Sequence, residues 1–128
     1  MKIPEGILCF ESSFGVEETT NRLVVLIQNC GITVYTRINQ QKELSRAGIH
    51  SAPIEFILFG CPLSGGQIIL ANPLAALDLP LKALIWEDAA GKTWITYNDH
   101  TYIGARFDLD QDLTNLLNLT SLLKPSHF

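Results

Sequence analysis

Apolar residues recur along one long stretch of this chain at the spacing of a helix. Between residues 16 and 30 they return every three or four positions, with Glu17 and Glu18 at the start and Gly31 directly after the end. Acidic residues suit the positive end of a helix, and glycine commonly follows its last turn. The pattern therefore predicts an amphipathic helix over 16–30, with Ser13 as its N-cap.

Five further stretches are apolar, β-branched or aromatic, which is typical of strands. They cover residues 7–10, 33–38, 55–59, 81–87 and 93–97. Short helices are predicted at 40–47 behind Asn39, at 67–71, and at 101–107 behind Asp99. Asn72 precedes a proline and should not be helical. Asp110 or Asp112 should begin a leucine-rich C-terminal helix within 110–128.

The stretch from residue 70 to 99 contains both tryptophans and predicts a β-hairpin with Gly91 in its turn. The predicted register pairs Trp86 with Trp94, Ile85 with Ile95, and Leu84 with Thr96. Because side chains alternate between the two faces of a sheet, Leu84, Trp86 and Trp94 should share one face. We expect a second copy of the chain to cover that face. The alternative is that the leucine-rich tail folds over it.

The order of the elements predicts the fold class. No long strand-helix-strand repeat occurs, so an α+β fold with a mainly antiparallel sheet and helices on one face fits best. A length of 128 residues predicts a single domain over 1–128. The composition is 47% hydrophobic and 17% charged, which favours a globular chain with apolar surface for self-association.

Charge and cysteine content bear on partners and location. The net charge of -4 argues against nucleic-acid binding, because no basic surface exists to neutralise phosphates. The apolar run near the N-terminus is too short for a signal peptide or a membrane span, so we expect a cytoplasmic protein without membrane contact. Cys9, Cys30 and Cys61 lie in apolar segments without a CxxC pair. They are predicted to be buried free thiols, with no disulfide and no metal.

Polar residues near the hairpin are the candidates for chemistry. We predict a ligand site formed by Asn72, Lys82, Tyr97, Asn98 and Asp99. The function expected is a non-catalytic ligand-binding or interaction module, homodimeric and without a cofactor. The alternative is a small enzyme whose acid-base groups come from the cluster of Asp78, Lys82, Glu87, Asp88, Asn98 and Asp99.

A structural interpretation competes with both functions. Asp88 fits the first position of a type I turn, and Asp99 fits a helix N-cap. The serines lack a GxSxG context, so no nucleophile and no catalytic residue are assigned. His50 and His100 are too scattered to predict zinc. Gly65 and Gly66 before a helix could hold an anion, but a tight turn is the favoured interpretation.

The central stretch resembles the DUF302 family of small bacterial and archaeal domains of unassigned function. The resemblance rests on Phe59-Gly60-x-Pro62, Ala71-Asn72-Pro73, Leu79-Pro80-Leu81-Lys82, Trp86-Glu87-Asp88, Gly91-Lys92, and Tyr97-Asn98-Asp99 with Tyr102 and Arg106. It extends over about residues 10–109 and leaves 110–128 outside. The resemblance implies a β-α-β(4)-α fold similar to that of TATA-binding protein, without implying DNA binding.

The chain departs from the family pattern at polar positions. Gln40 stands where family members commonly have His, and His100 stands where they have Pro. Cys61 and Leu63 replace Asn and Lys around the proline after the third strand. If those polar positions form a site in other members, that site is depleted here.

Overall fold

Five strands form one sheet in the computed structural model, which describes residues 1–128. The strands are β1 (Ile7–Ser12), β2 (Thr33–Asn39), β3 (Ile54–Gly60), β4 (Leu81–Glu87) and β5 (Thr93–Asn98). They lie in the order β1-β5-β4-β3-β2, and each strand is antiparallel to its neighbours. The predicted α+β class with an antiparallel sheet is confirmed, and strand ends differ from the prediction by at most two residues.

Five helices and two 3-10 turns connect and flank the strands. The helices are α1 (Val16–Asn29), α2 (Gln40–Arg46), α3 (Pro62–Ala71), α4 (His100–Arg106) and α5 (Gln111–Asn115); the 3-10 turns are Pro73–Asp78 and Pro125–His127. The side chains of Asn39, Asp99 and Asp110 accept hydrogen bonds from the backbone N–H groups of α2, α4 and α5. The predicted caps Asn39 and Asp99 are confirmed, and of the two alternatives Asp110 and Asp112 it is Asp110 that begins α5.

Other helix limits differ from the prediction. Gly15, not Ser13, is the N-cap of α1, because its carbonyl oxygen accepts the N–H of Thr19 at 2.9 Å; the Ser13 N–H is bonded to the carbonyl oxygen of Phe128 at 2.7 Å. Helix α3 starts five residues early, at Pro62, since proline is well suited to the first position of a helix. The predicted C-terminal helix over 110–128 is wrong beyond residue 115.

One face of the sheet carries the main core. Ile57, Ile85 and Ile95 pack there against Leu23 and Ile27 of α1. The same cluster includes four residues of the C-terminal tail, Leu119, Leu122, Leu123 and Phe128. The alternative in which the tail covers the tryptophans is therefore wrong: the tail packs on the isoleucine face, where its leucines complete the core.

A second apolar cluster lies beside the end of the sheet. Ile68 of α3, Ile103 and Phe107 of α4, Ala75 and Leu117 pack together there. Gly104 of α4 lies so close to Thr114 that an added Cβ would be 2.6 Å from the Thr114 Cγ2. This cluster fixes α3, α4 and α5 against one another at the edge of the main core.

The hairpin has the predicted register. Trp86 lies opposite Trp94, Ile85 opposite Ile95, and Leu84 opposite Thr96. In its turn, Gly91 has a φ of 81° and donates its N–H to the Asp88 carbonyl oxygen. The Asp88 side chain accepts hydrogen bonds from the N–H groups of Ala90 and Lys92, as a turn-stabilising aspartate does.

The prediction that the thiols are buried is wrong for two of the three cysteines. Cys30 and Cys61 are exposed, because they lie at helix ends and not within strands or helices. Cys9 is half-buried and its Sγ lies 3.1 Å from the Thr96 Oγ1. The apolar neighbours of each cysteine in the sequence did not show whether its thiol faces the core or the solvent.

Candidate functional sites

The sheet face opposite the main core is apolar. We call it the open face and define it by five residues on the three central strands: Phe56, Leu58, Leu84, Trp86 and Trp94. None of the five belongs to either apolar cluster, and each keeps part of its surface in solvent. A continuous apolar surface of this kind commonly marks a contact site.

Both indole N–H groups of the open face are satisfied within the chain. The Trp86 Nε1 donates to the Thr96 Oγ1 at 2.9 Å, and the Trp94 Nε1 donates to the Asp88 Oδ2 at 2.8 Å. The bond from Trp94 is also the main reason why the pKa of Asp88 is below its usual range. The two rings are therefore held in place and present apolar surface without an unpaired donor.

Charges lie at opposite ends of the open face. Lys82 shares the face at the start of β4, and its Nζ donates to the Pro80 carbonyl oxygen at 2.8 Å. Burial lowers the pKa of Lys82, and nearby Asp78 opposes that shift. Glu11 and Asp88 lie at the other end, around Trp94. Lys92 also lies at that end, with its Nζ 3.9 Å from the Glu11 carboxylate, so the end has two acidic groups and one basic group. The face is therefore basic at one end and net acidic at the other.

A second candidate site is an apolar cavity of about 540 Å³ beside the start of α3. Its wall combines the beginning of α3, the segment 79–81, residues of β2 and β3, and the chain at 116–119. The apolar lining consists mainly of Ile32, Tyr35, Pro62, Ile69, Leu79, Pro80, Leu81, Leu116, Leu117 and Leu119. No charged side chain lines it, so any ion pair with a ligand would need a residue from outside the cavity.

Two glycines form part of the cavity wall inside helix α3. Neither Gly65 nor Gly66 has a positive φ, so the backbone does not require glycine there. A Cβ added to Gly65 would have Leu79 as its nearest neighbour at 4.0 Å, and one added to Gly66 would have none within 4 Å. Glycine costs a helix interior about 1 kcal/mol relative to alanine. What these two residues provide is empty space.

Cys61 lies at the mouth of the apolar cavity, as the N-cap of α3. The backbone N–H of Ser64, and to a smaller extent that of Leu63, lowers the pKa of the Cys61 thiol. Neither N–H is aligned well enough to count as a cap hydrogen bond. The thiol is nevertheless in the partly positive environment that increases thiolate character.

A polar cleft lies on the other side of the molecule, at the start of α1. Glu55 is buried there with 4% of its surface exposed, and Arg37 binds both of its carboxylate oxygens, at 2.8 and 3.1 Å. The same guanidinium donates to the Asn21 side chain at 2.6 Å. The carboxylate is therefore engaged in joining β2, β3 and α1, which is a structural role.

The five residues predicted as a ligand site have separate positions. Asn72 bridges the Leu74 N–H and the Phe107 carbonyl oxygen. Tyr97 packs edge-on against Phe10, with ring centres 6.5 Å apart, and its pKa is raised by burial and then by Asp99. Lys82 and Asn98 lie at strand ends, and Asp99 caps α4. None of the five lines the apolar cavity, and their role in binding stays a prediction.

The acid-base cluster of the alternative enzyme is divided between two ends of the hairpin. Glu87 and Asp88 are next to the turn, whereas Lys82, Asn98 and Asp99 are at the far end. Asp78 is bonded to Arg106 at 3.0 Å. No three His, Cys, Asp or Glu side chains lie close enough together to hold a metal ion. The six residues therefore do not meet in one cleft, although Glu87 lines the polar cleft at the start of α1 together with Glu17, Glu18 and Glu55.

Sequence reasoning missed the apolar cavity because its wall comes from four separate segments. The available signals were Gly65 and Gly66 within an otherwise helical stretch and Pro62 after Cys61. It also missed four strongly exposed leucines on α3 and the following 3-10 turn. They are Leu63, Leu70, Leu74 and Leu77, which are between 72% and 87% exposed.

Comparison with known proteins identifies related sequences and a solved structure with the same fold. The chain is 36% identical over 107 residues to proteins named fluoride-specific ion channel FluC 1 from Brucella suis and Brucella abortus. That match covers 84% of this chain, but the chain spans only about two fifths of the length of these relatives, 42% and 40%. No helix of the structure is both long and apolar enough to cross a membrane.

A solved structure has the same fold. The uncharacterized conserved protein DUF302 from Bacillus stearothermophilus superimposes with a TM-score of 0.77 at 21% identity, over 89% of this chain and 88% of that one. The family model described as domain of unknown function DUF302 matches residues 8–120, farther than the resemblance read from the motifs. The chain therefore belongs to the DUF302 family.

Proposed function

We propose that this chain is a non-catalytic interaction module that forms a two-fold homodimer through its open face. The observation that carries the proposal is the continuous apolar surface around Trp86 and Trp94, with both indole donors already satisfied inside the chain. Fixed aromatic rings bury a large area at small entropic cost and are typical anchors of interfaces. A flat sheet face can pack against its own copy, as an isologous interface requires.

The charges at the ends of the open face support a second copy as the occupant. A two-fold axis through the middle of the open face would place β4 of one copy over β4 of the other, with the two strands running in opposite directions. Lys82 of each chain would then lie toward the acidic end, with Glu11 and Asp88, of the other. Opposite charges placed this way favour one orientation of the dimer.

Trp86→Lys should convert the dimer into a monomer. In sedimentation equilibrium we expect the wild type at about twice the 14.2 kDa mass of one chain. A lysine in the centre of the interface would be buried without a partner and should weaken association about 100-fold or more. Leu70→Lys is the matched control, because Leu70 is 87% exposed on α3 and outside the open face.

The dimer proposal fails if the wild type sediments as a monomer at micromolar concentration. It also fails if Leu70→Lys dissociates the dimer and Trp86→Lys leaves it intact, because the interface would then involve the exposed leucines. Circular dichroism of both variants shows whether the fold is retained.

We infer a second candidate function from the length of the relatives. In the Brucella proteins a region similar to this chain is joined to further sequence, and the whole is named a fluoride-specific ion channel. The second candidate is therefore a partner domain of a fluoride-specific channel. Leu63, Leu70, Leu74 and Leu77 provide an apolar surface for such a contact.

Deleting the gene should then lower the fluoride tolerance of the host. Growth over a series of sodium fluoride concentrations measures this effect, with sodium chloride as the control. The wild-type gene should restore growth, whereas a Leu70→Ser, Leu74→Ser variant should not. Equal growth of the deletion strain and the parent at every fluoride concentration would remove this candidate.

A further inference from the structure

The apolar cavity beside α3 has the size and composition of a small-molecule site. Its volume of about 540 Å³ lies within the usual range of ligand pockets, roughly 300–1,000 Å³. Tyr35, Ile69 and Leu116 at the cavity remain exposed although they are large and apolar. An apolar surface that the chain leaves uncovered in a concave site is what an apolar ligand would cover.

Two polar side chains of the cavity come from the start of α3, and Tyr35 and Asn118 also line it. The Cys61 thiol and the Ser64 hydroxyl are at the start of α3, where the helix presents its partly positive end. Such an end favours an oxygen that carries partial negative charge. The rest of the lining has no charged side chain, so a full charge on the ligand would stay uncompensated there.

Gly65 and Gly66 leave open space along the wall of the cavity. Their backbone conformation does not need glycine, and their surroundings have room for side chains. A larger side chain at Gly66, which lines the cavity, would therefore meet no packed protein.

We propose that the cavity binds a neutral, mainly apolar small molecule whose oxygen atom faces the Cys61–Ser64 end. This site is separate from the open face, and the proposal does not rest on the homodimer. It also differs from the site predicted around Asn72 and Tyr97, because neither residue lines the cavity.

Fluorescence titration with the neutral probe prodan, an apolar naphthalene derivative that carries one ketone oxygen, tests the proposal. The wild type should bind the probe at one saturable site per chain. Gly66→Leu should weaken binding about 10-fold or more by filling the cavity, while its melting temperature stays the same or rises. Leu70→Ala, at an exposed position of the same helix, and Trp86→Lys, on the open face, should both bind the probe like the wild type.

Alkylation provides a second readout that does not depend on any variant. Saturating prodan should slow the reaction of iodoacetamide with Cys61 but not with Cys30, which is exposed at the end of α1. Mass spectrometry of peptides distinguishes the two thiols. Unchanged binding by Gly66→Leu, or an unchanged alkylation rate at Cys61, would overturn the proposal. Loss of binding in Trp86→Lys alone would place the probe on the open face and overturn it as well.

Discussion

Arg37→Ala is expected to destabilise the protein by about 3 kcal/mol. The substitution would leave the Glu55 carboxylate, which is 4% exposed, without the two hydrogen bonds that Arg37 donates. It would also remove the bond from Arg37 to Asn21 of α1. A buried charge that loses its partner keeps its full desolvation cost, which explains the size of the effect. Urea denaturation monitored by tryptophan fluorescence measures the free energy of unfolding.

Two variants control for the general effect of removing an arginine. Arg22→Ala removes an exposed pair with Glu18, one helical turn away, and the cation–π contact of Arg22 with the Phe14 ring at 3.7 Å. Together these losses should change the free energy of unfolding by about 1 kcal/mol, well below the effect of Arg37→Ala. Arg37→Met combined with Glu55→Leu removes both charges and should recover most of the loss. If Arg37→Ala and Arg22→Ala lowered the free energy of unfolding equally, the Arg37–Glu55 pair would contribute no more to stability than an exposed arginine does.

Gly104→Ala should reduce the free energy of unfolding by about 2 kcal/mol. Alanine is the better helix former, so propensity alone predicts stabilisation. The new Cβ would lie 2.6 Å from the Thr114 Cγ2 and 3.0 Å from its Cβ. Thr114 is buried, and the contacting Cβ is attached directly to its backbone. Rotation of the Thr114 side chain therefore cannot relieve the contact, so α4 and α5 must move apart.

The matched control is the same substitution at Gly66. No atom lies within 4 Å of a Cβ at that position, so Gly66→Ala should stabilise by about 0.5–1 kcal/mol. The two glycines are both helical and should respond with opposite signs in urea denaturation. A stabilising effect at Gly104 would mean that α4 and α5 are less tightly packed than the structure describes.

Local signals were enough to predict most of the fold. Gly91 and the alternation on both sides of it define the hairpin register, and Asn39 and Asp99 mark helix starts. These features depend on neighbours in sequence, which is why they could be predicted. The first residue of α1, Val16, was also predicted, but its N-cap was not: Gly15 caps the helix, and the Ser13 N–H bonds to Phe128 at the far end of the chain.

The candidate sites were predicted less completely. Period-two alternation placed Leu84, Trp86 and Trp94 on one face, because the side-chain period of a strand is fixed. The apolar cavity forms where α3, the segment 79–81 and the chain at 116–119 come together. These segments are far apart in the sequence, so no local sequence pattern predicts their contact. For the same reason, apolar neighbours around Cys61 suggested burial, although the thiol lies exposed at a helix end.

The break in register within β2 has a consequence for how copies of this chain can add to one another. The pairing of β2 with β3 shifts between Val34 and Thr36, so the outer edge of β2 lacks an unbroken row of hydrogen-bonding groups. A neighbouring strand aligns less well along such an edge, which is a common protection against amyloid-like growth. The other edge strand, β1, pairs with β5 without such a shift. A two-fold dimer formed through the open face uses that face of both chains, so its assembly stops at two copies. Association through strand edges could instead continue into fibres.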